Sequence, residues 1–427
     1  MVEQSKDPLV DRTSVELFAG GGGLAMAVER AGFRPLLFNE FAKRACETLV
    51  ANNAERHELG LTPPIPRPGE RPPLIEGDVS KLDFEYLKGR VDVLAGGPPC
   101  QPFSLGGVAK GDEDDRNGFP HLFKAIRQME PRAVICENVR GLLRPSFKPY
   151  FDYITRELAL PFEERKEGGN WQEHDEVLRH MLETTTVDEH ERYDVRHYPV
   201  NAADYGVPQI RNRVILIAFR RDVGVDWDRF EDLVRPQFTE ARLYESMADG
   251  TYWERHPEVP RGVRDQVMAR LPQRPQPLVV TAAEQLQPWR TLRDAIKGID
   301  GQRPLPPVKK LDRKEYNIDG FTDHIGWPDA RIYPGHTPNE LDRPAKTVKA
   351  GVHGVPGGES VMLLDDGNHR YMTVRETARV MTFPDDWALA GPRGEKMRQL
   401  GNAVPVLLGQ VFANAVATVL DEAGRSK

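Results

Sequence analysis

The sequence predicts an α/β protein: a doubly wound, mostly parallel seven-stranded sheet with a second, smaller domain. Three observations predict it. Over the first 220 residues, short β-branched runs alternate with amphipathic stretches, the pattern of βαβ units with helices on both sheet faces. From about 221 to 342 that rhythm stops, and prolines, aromatics and basic residues dominate. The α/β pattern resumes near Thr373–Phe383 and ends in an apolar stretch around Pro405–Leu420.

The expected strands, in order, are Ser14–Phe18, Pro35–Phe38, Leu74–Glu76, Val91–Ala95, Arg132–Cys136, Val195–Asn201 and Arg213–Phe219. Amphipathic periodicity predicts helices near 22–31, 41–53, 80–88 and 119–130. Residues 60–73 are proline-rich and read as a surface loop. Residues 161–192 are polar and acidic and read as an insertion on the outside of the first domain. Only 13 residues precede the first strand, too few to cover it with a helix, so the C-terminal helix is expected to return there. The expected division is 1–220 for catalysis and cofactor binding, 221–342 for a target-recognition domain, and 343–427 returning to the first domain.

The 427 residues, 39% hydrophobic and 29% charged, suit two or three folded domains and exclude wholesale disorder. No run of about 18 apolar residues stands out, so no membrane-spanning helix is expected. The polar N-terminus lacks the apolar core of a signal peptide. Three cysteines, Cys46, Cys100 and Cys136, without a CxxC pair exclude a disulfide framework or thiolate zinc site and suit a reducing cytosol. Net charge is −7, but it is unevenly spread: residues 151–200 carry −7 and residues 261–350 carry +5. The basic region is compatible with nucleic-acid contact, and equally with a solvated face.

Chemistry should gather beyond the carboxyl ends of the strands, where such sheets bind ligands. The first strand runs into Gly20–Gly23 and then a helix, a turn that lets backbone N–H groups approach a ligand. Glu40 lies 20 residues after Gly20, a distance suited to hydrogen bonds with ribose hydroxyls. Asp78 could serve a base edge in the same way. The spacing departs from GxGxxG and favours an adenosine-bearing cofactor other than NAD; a purely structural turn is the alternative.

Cys100 follows the fourth strand in GGPPCQPFS, a rigid setting for a nucleophilic thiolate. Cys46 and Cys136 fit ordinary buried cysteines. The glycine-rich polar stretch after Cys100 reads as a lid. Glu137, in ENV, is expected just after the fifth strand, as a proton donor or hydrogen-bond partner or as a solvated strand-end acid. Gln209, Arg211 and Arg213 alternate in QIRNR, and the two arginines suit phosphate or carbonyl recognition or a solvated strand face. Gly401-Asn402 could cap the last helix and touch a cofactor, or only cap it.

Together FAGGGG, GGPPCQPFS, ENV, QIRNR, RPAKTV and GNAVP, in this order from residue 14 to 406, resemble the DNA (cytosine-5)-methyltransferase family of bacterial restriction–modification type. The resemblance implies a class I S-adenosylmethionine-dependent methyltransferase fold with a smaller DNA-recognition domain. It implies that Cys100 adds to cytosine C6 of a base flipped from double-stranded DNA, and that C5 then takes the methyl group of S-adenosylmethionine. Glu137 would hold N3 and the exocyclic amine, Arg213 the base O2, and Arg211 would support the catalytic site. The cofactor would meet Phe18, Ala19, Gly20, Gly22, Gly23, Leu24, Glu40, Asp78, Val79, Pro98, Asn402, Ala403 and Val404. Gln101, Ser104, Gln209 and Arg116 would bind substrate. The resemblance further implies a cytoplasmic, nucleoid-associated monomer, and a cognate restriction endonuclease that is not physically bound.

Two alternatives remain at this stage. One branch of the family methylates tRNA, but it carries a Cys-Phe-Thr tripeptide in its recognition region, and residues 221–342 here contain no cysteine. A non-catalytic relative should have lost Cys100, Glu137 or a cofactor glycine, and all are present.

Overall fold

The computed structural model describes residues 11–99, 117–184, 187–272, 286–315, 320–332, 337–350 and 360–425. The chain forms two compact units. Unit 1 comprises 1–199, 213–234 and 410–427; unit 2 comprises 200–212 and 235–409.

Unit 1 is built on one sheet. Its elements are β1 Arg12–Leu17, α1 Gly23–Arg30, β2 Phe33–Glu40, α2 Lys43–Ala51, β3 Glu55–His57, β4 Pro73–Glu76 and β5 Val93–Gly96. Then follow α3 Phe119–Met129, β6 Ala133–Val139, α4 Lys148–Ala159, α5 Trp171–Thr184, β7 Tyr193–Asn201, β8 Asn212–Arg220 and α6 Trp227–Leu233. The strand order is β3-β4-β2-β1-β5-β6-β8-β7. The neighbours from β3 to β6 are parallel, and β8 runs antiparallel to β6. The doubly wound sheet is therefore as expected, with an eighth strand: Glu55–His57 is a short polar edge, too brief to show alternation. Residues 80–88 form only two short 3-10 turns, Val79–Lys81 and Glu85–Leu87, because the backbone turns extended at Leu82 (φ −86°, ψ 143°). The acidic insertion contains a regular helix, α5, whose Arg156–Asp175 ion pair, 2.6 Å long, ties it to α4.

Strand order reverses at β1, which has β2 on one side and β5 on the other. In open α/β sheets that reversal opens a crevice at the carboxyl ends. The core beneath it contains Val15, Leu17, Leu37, Leu94, Phe119, Phe123, Ile126 and Val134.

The domain division differs from the expected one. Residues 343–409 belong to unit 2, and the return to unit 1 begins at 410. The short strands in this stretch pair among themselves, Asn339–Glu340 with Val361–Leu363 and that strand with His369–Tyr371, rather than with the large sheet. Unit 2 has its own core of Leu243, Met247, Tyr252, Trp253, Val259 and Trp289. Tyr252 and Trp253 are thus core residues; Trp327 instead lies under the guanidinium groups of Arg313 and Arg393, and Tyr316 lies outside the described residues.

The last helix, Val406–Arg425, does reach the first strand: Arg12 Nη1 lies 2.6 Å from Asp421 Oδ2. Contrary to expectation, the stretch ending in this helix is long and apolar enough to cross a membrane by composition, but 72% of its apolar window is buried inside the protein. Phe412 is fully buried, with Tyr198 packed on it at 5.7 Å. Phe412→Ala should therefore cost about 3–5 kcal/mol in urea unfolding, and a loss below 1 kcal/mol would show that the helix is dispensable to the core.

Candidate active site

β1 and β5 end level with each other, Leu17 paired with Gly96. A Cβ at Gly96 would lie 2.9 Å from Leu17 O, so a side chain there would push the strands apart. Beyond Leu17 the chain turns at once. Phe18 has φ 58°, Gly20 φ 55° and Gly22 φ 88°, left-handed conformations that glycine takes freely and phenylalanine only under constraint. Glu40, at the end of β2, fixes the turn: it accepts from Gly20 N–H at 2.7 Å and from Ala42 N–H at 2.6 Å. Helix α1 then starts with its N–H groups at this turn. Asp78 accepts from Ser80 N–H at 2.9 Å, and that bond, first among its causes, holds its carboxyl below the usual range and ionised.

Two residues the sequence reading passed over belong to this neighbourhood. Glu16 in β1 is buried; one oxygen accepts from Ala25 N–H in the first turn of α1, and Oε2 has no hydrogen-bond partner among the described residues. Burial, with Glu40 nearby, raises its pKa well above the ordinary value. Phe41, directly after Glu40, is 75% exposed, an aromatic face left in water beside the turn. An aromatic following a strand-end acid was a signal available in the sequence. The burial of Glu16 was not, because a Glu inside SVELF reads as any strand residue. By contrast, the side chains of Leu24 and Val79 are buried, so of these two expected contacts only the backbone can face a ligand.

β5 delivers Gly97, Pro98 and Pro99 to the same end of the sheet. Asn138 Nδ2 donates to Pro98 O at 3.0 Å, and Gly118 N–H donates to Pro99 O at 2.9 Å. Cys100, Gln101, Ser104 and Arg116 lie in 100–116, outside the described residues, as does the expected lid. The chain thus leaves at Pro99 and is back beside it at Gly118. Glu137 lies inside β6 rather than after it, opposite Ile215 of β8. Its Oε2 would be 3.5 Å from a Cβ on Gly97, and Arg213 Nε lies 2.6 Å from its Oε1. A carboxylate and a guanidinium, both largely buried, therefore face the strand that leads into Cys100. Cys46 accords with a structural role: its thiol donates to Glu40 O at 3.4 Å, and burial, then Glu40 and Glu76, push its pKa up to about 12. Cys136 is buried within β6.

In unit 2 the structure separates residues that the sequence grouped together. Arg211 is fully buried and donates to Val348 O at 2.9 Å, Gly401 O at 2.7 Å and Ala403 O at 3.0 Å. It braces the backbone and is not placed as a catalytic group. Gln209 is also fully buried; its Oε1 accepts from Val348 N–H at 3.1 Å, so it is not available to substrate as expected. Asn402 ends helix Arg393–Asn402 and is exposed, while Ala403 and Val404 are buried. The first turn of the following helix is satisfied instead by Thr382, whose Oγ1 accepts from Leu407 N–H at 2.9 Å.

Fold and site define an α/β protein of the class I methyltransferase architecture, with a nucleoside-type turn after β1 and a Pro-Pro-Cys edge after β5. The family described as C-5 cytosine-specific DNA methylase matches residues 12–160 and 171–418, and the chain belongs to it. It is a DNA (cytosine-5-)-methyltransferase, which transfers a methyl group to C5 of cytosine. The family and its fold use S-adenosylmethionine as methyl donor. The chain is 27% identical over 422 residues to the type II methyltransferase M.Eco47II of Escherichia coli, covering 96% of this chain and 80% of that one. It is 28% identical over 428 residues to M.PspPI of Psychrobacter sp., covering 99% and 82%. In fold it is similar to a crystal structure described as a DNA modification methyltransferase encoded within an E. coli prophage, with TM-score 0.56, 18% identity and coverage of 96% and 100%.

Two stability tests follow from these placements. Folding with Glu16 neutral costs nothing at acid pH, but it opposes ionisation once the unfolded chain loses that proton. Glu16→Gln should thus raise the melting temperature at pH 8 by about 2–4 °C, the worth of roughly 1 kcal/mol in a domain of this size, and the gain should vanish near pH 4. A gain independent of pH would contradict a neutral Glu16. Arg211→Lys cannot reach three carbonyls and should cost about 2–4 kcal/mol in denaturant unfolding; an unchanged midpoint would refute the brace.

Proposed function

We propose that this chain methylates one cytosine within a short, specific double-stranded DNA sequence, as the modification partner of a restriction endonuclease to which it is not bound. The observation that carries the reading is the Glu137–Arg213 pair set across Gly97, at the entry to Pro98-Pro99-Cys100. A base cannot be attacked within the duplex, so the target cytosine is flipped out. Cys100 adds as thiolate to C6, splitting one difficult step into easier ones. Glu137 holds N3 and the exocyclic amine, which favours charge moving onto the ring during addition, and Arg213 holds O2. Once C5 carries the methyl group, loss of the C5 proton and departure of Cys100 as thiolate restore the aromatic ring.

The residues around the β1 turn fit the methyl donor. A backbone turn with N–H groups at a helix start, a carboxylate at Glu40, a second carboxylate at Asp78, an exposed Phe41 ring and the unpartnered Glu16 oxygen form a donor set for an adenosine carrying a cationic end. Glu40 would hold the ribose, Asp78 the adenine edge, and Phe18 and Phe41 the faces of the base, with Pro98 contributing a further contact. When bound, S-adenosylmethionine supplies an electrophilic methyl group on sulfur. We place the enzyme in the cytoplasm as a monomer acting on the nucleoid. The type II names of its relatives support the restriction–modification role.

Bisulfite sequencing of a methylation-free bacterial host expressing the chain tests this reading. One short motif with near-complete cytosine methylation is the expected result, and a genome without methylated cytosine, with soluble protein present, would overturn it. Cys100→Ser should abolish methylation while cofactor binding persists. Glu137→Gln should lower kcat about 10²-fold or more.

A further inference from the structure

The acidic insertion has no part in the chemistry above, yet it connects to the base of the Cys100 segment. Asn117, the first described residue after that segment, is buried and donates through Nδ2 to Tyr150 OH at 2.6 Å. Tyr150 lies on α4 and is itself buried. Trp171, the first residue of α5, meets the Tyr150 ring edge-on at 5.2 Å and the Tyr153 ring at 5.5 Å. α5 is in turn anchored to α4 by Asp175, which binds Arg156 and Arg179, and by His174, whose Nδ1 lies 3.1 Å from Tyr153 OH.

The other end of this chain of contacts is the clasp at Pro99. Gly118, next to Asn117, donates to Pro99 O, and a Cβ on Gly118 would lie 2.6 Å from Pro99 Cδ and 2.9 Å from Pro98 Cβ. The two chain ends are therefore in contact with no room to shift. Whatever fixes Asn117 also fixes Gly118, and through it Pro99, to which Cys100 is bonded. A short buried hydrogen bond is well suited to this, since a displacement breaks it where water cannot replace it. Displacements of about 1 Å at a reacting group cost rates of the order of 100-fold.

We propose that Tyr150, backed by Trp171 of the insertion, is a positioning residue for the nucleophile: it holds Asn117 and so fixes Pro99, the residue that precedes Cys100 in the chain. The inference rests on the role proposed for Cys100. Neither residue touches substrate or cofactor.

The test uses the full-length enzyme and unmethylated duplex DNA carrying the motif that bisulfite sequencing identifies. Tyr150→Phe keeps the ring and its packing and removes only the hydroxyl. It should lower kcat about tenfold, leave KM and the dissociation constant for S-adenosylmethionine unchanged, and slow covalent trapping on 5-fluorocytosine DNA by the same factor. Because Tyr150 acts through Asn117, the Asn117→Ala/Tyr150→Phe double variant should be no slower than Asn117→Ala alone. Trp171→Phe, a milder change that keeps an aromatic ring on Tyr150, should lose two- to fivefold in kcat. Wild-type kcat and trapping rate in Tyr150→Phe, or losses that multiply in the double variant, would overturn the proposal. If Tyr150→Phe unfolds, Trp171→Phe decides alone: a wild-type kcat refutes it. Trapping by Cys100→Ser would instead refute the nucleophile itself, so the two failures are distinguishable.

Discussion

Leu17 and Gly96 end two adjacent parallel strands in register, and their backbones lie close enough that no side chain fits at Gly96. Both chains must then leave the sheet at the same height, on either side of the point where strand order reverses. The β1 chain leaves through residues of positive φ, pinned by Glu40, and opens the N-terminus of α1. The β5 chain leaves through two prolines, pinned by Asn138 and Gly118. The glycine turn after β1 and the Pro98-Pro99 segment after β5 are brought to one end of the sheet by this register.

Two buried carboxyls near that edge show how partners decide what burial does. Glu137 has Arg213 at 2.6 Å, and an ion pair so enclosed is strongly disrupted by removing one member, because the other charge is left in low dielectric. Among the described residues Glu16 has a backbone N–H partner and no cation, so burial drives it toward the neutral form. The first arrangement is an enclosed ion pair beside Gly97. The second is a buried acid beside the turn after β1, with one oxygen unpartnered among the described residues.

The sheet was legible in the sequence because buried parallel strands are short apolar runs and their ends carry glycine, proline and acids at informative positions. The seven expected strands are present with small shifts in their ends. Glu55–His57 was not legible: three polar residues at an edge carry no period. Helix 80–88 failed because apolar spacing does not register the extended backbone at Leu82, which splits the stretch into two short turns. Of the site, Glu137 and Arg213 pair as residues of one neighbourhood, whereas Glu16, Asn138 and Asn117 were silent, since their roles consist of contacts with residues distant in sequence. The domain boundary at 343 was misplaced because the resumed α/β rhythm says that strands form, not which sheet they join.

The QIRNR segment shows the limit of grouping by proximity along the chain. Alternation suggested one face and one task. The chain passes from unit 2 to unit 1 between Asn212 and Arg213, so residues two apart serve different units. Gln209 accepts from Val348 N–H, Arg211 donates to three carbonyls, and of the three only Arg213 meets a carboxylate. The bracing pair is as chemically demanding as the Arg213–Glu137 ion pair, because a fully buried guanidinium needs several acceptors in fixed directions. Gln209 and Arg211 are fully enclosed and spent on the backbone, whereas Arg213 keeps some exposure beside Glu137. Burial, not spacing, separates the residue that pairs with the strand carboxylate from those that hold the backbone.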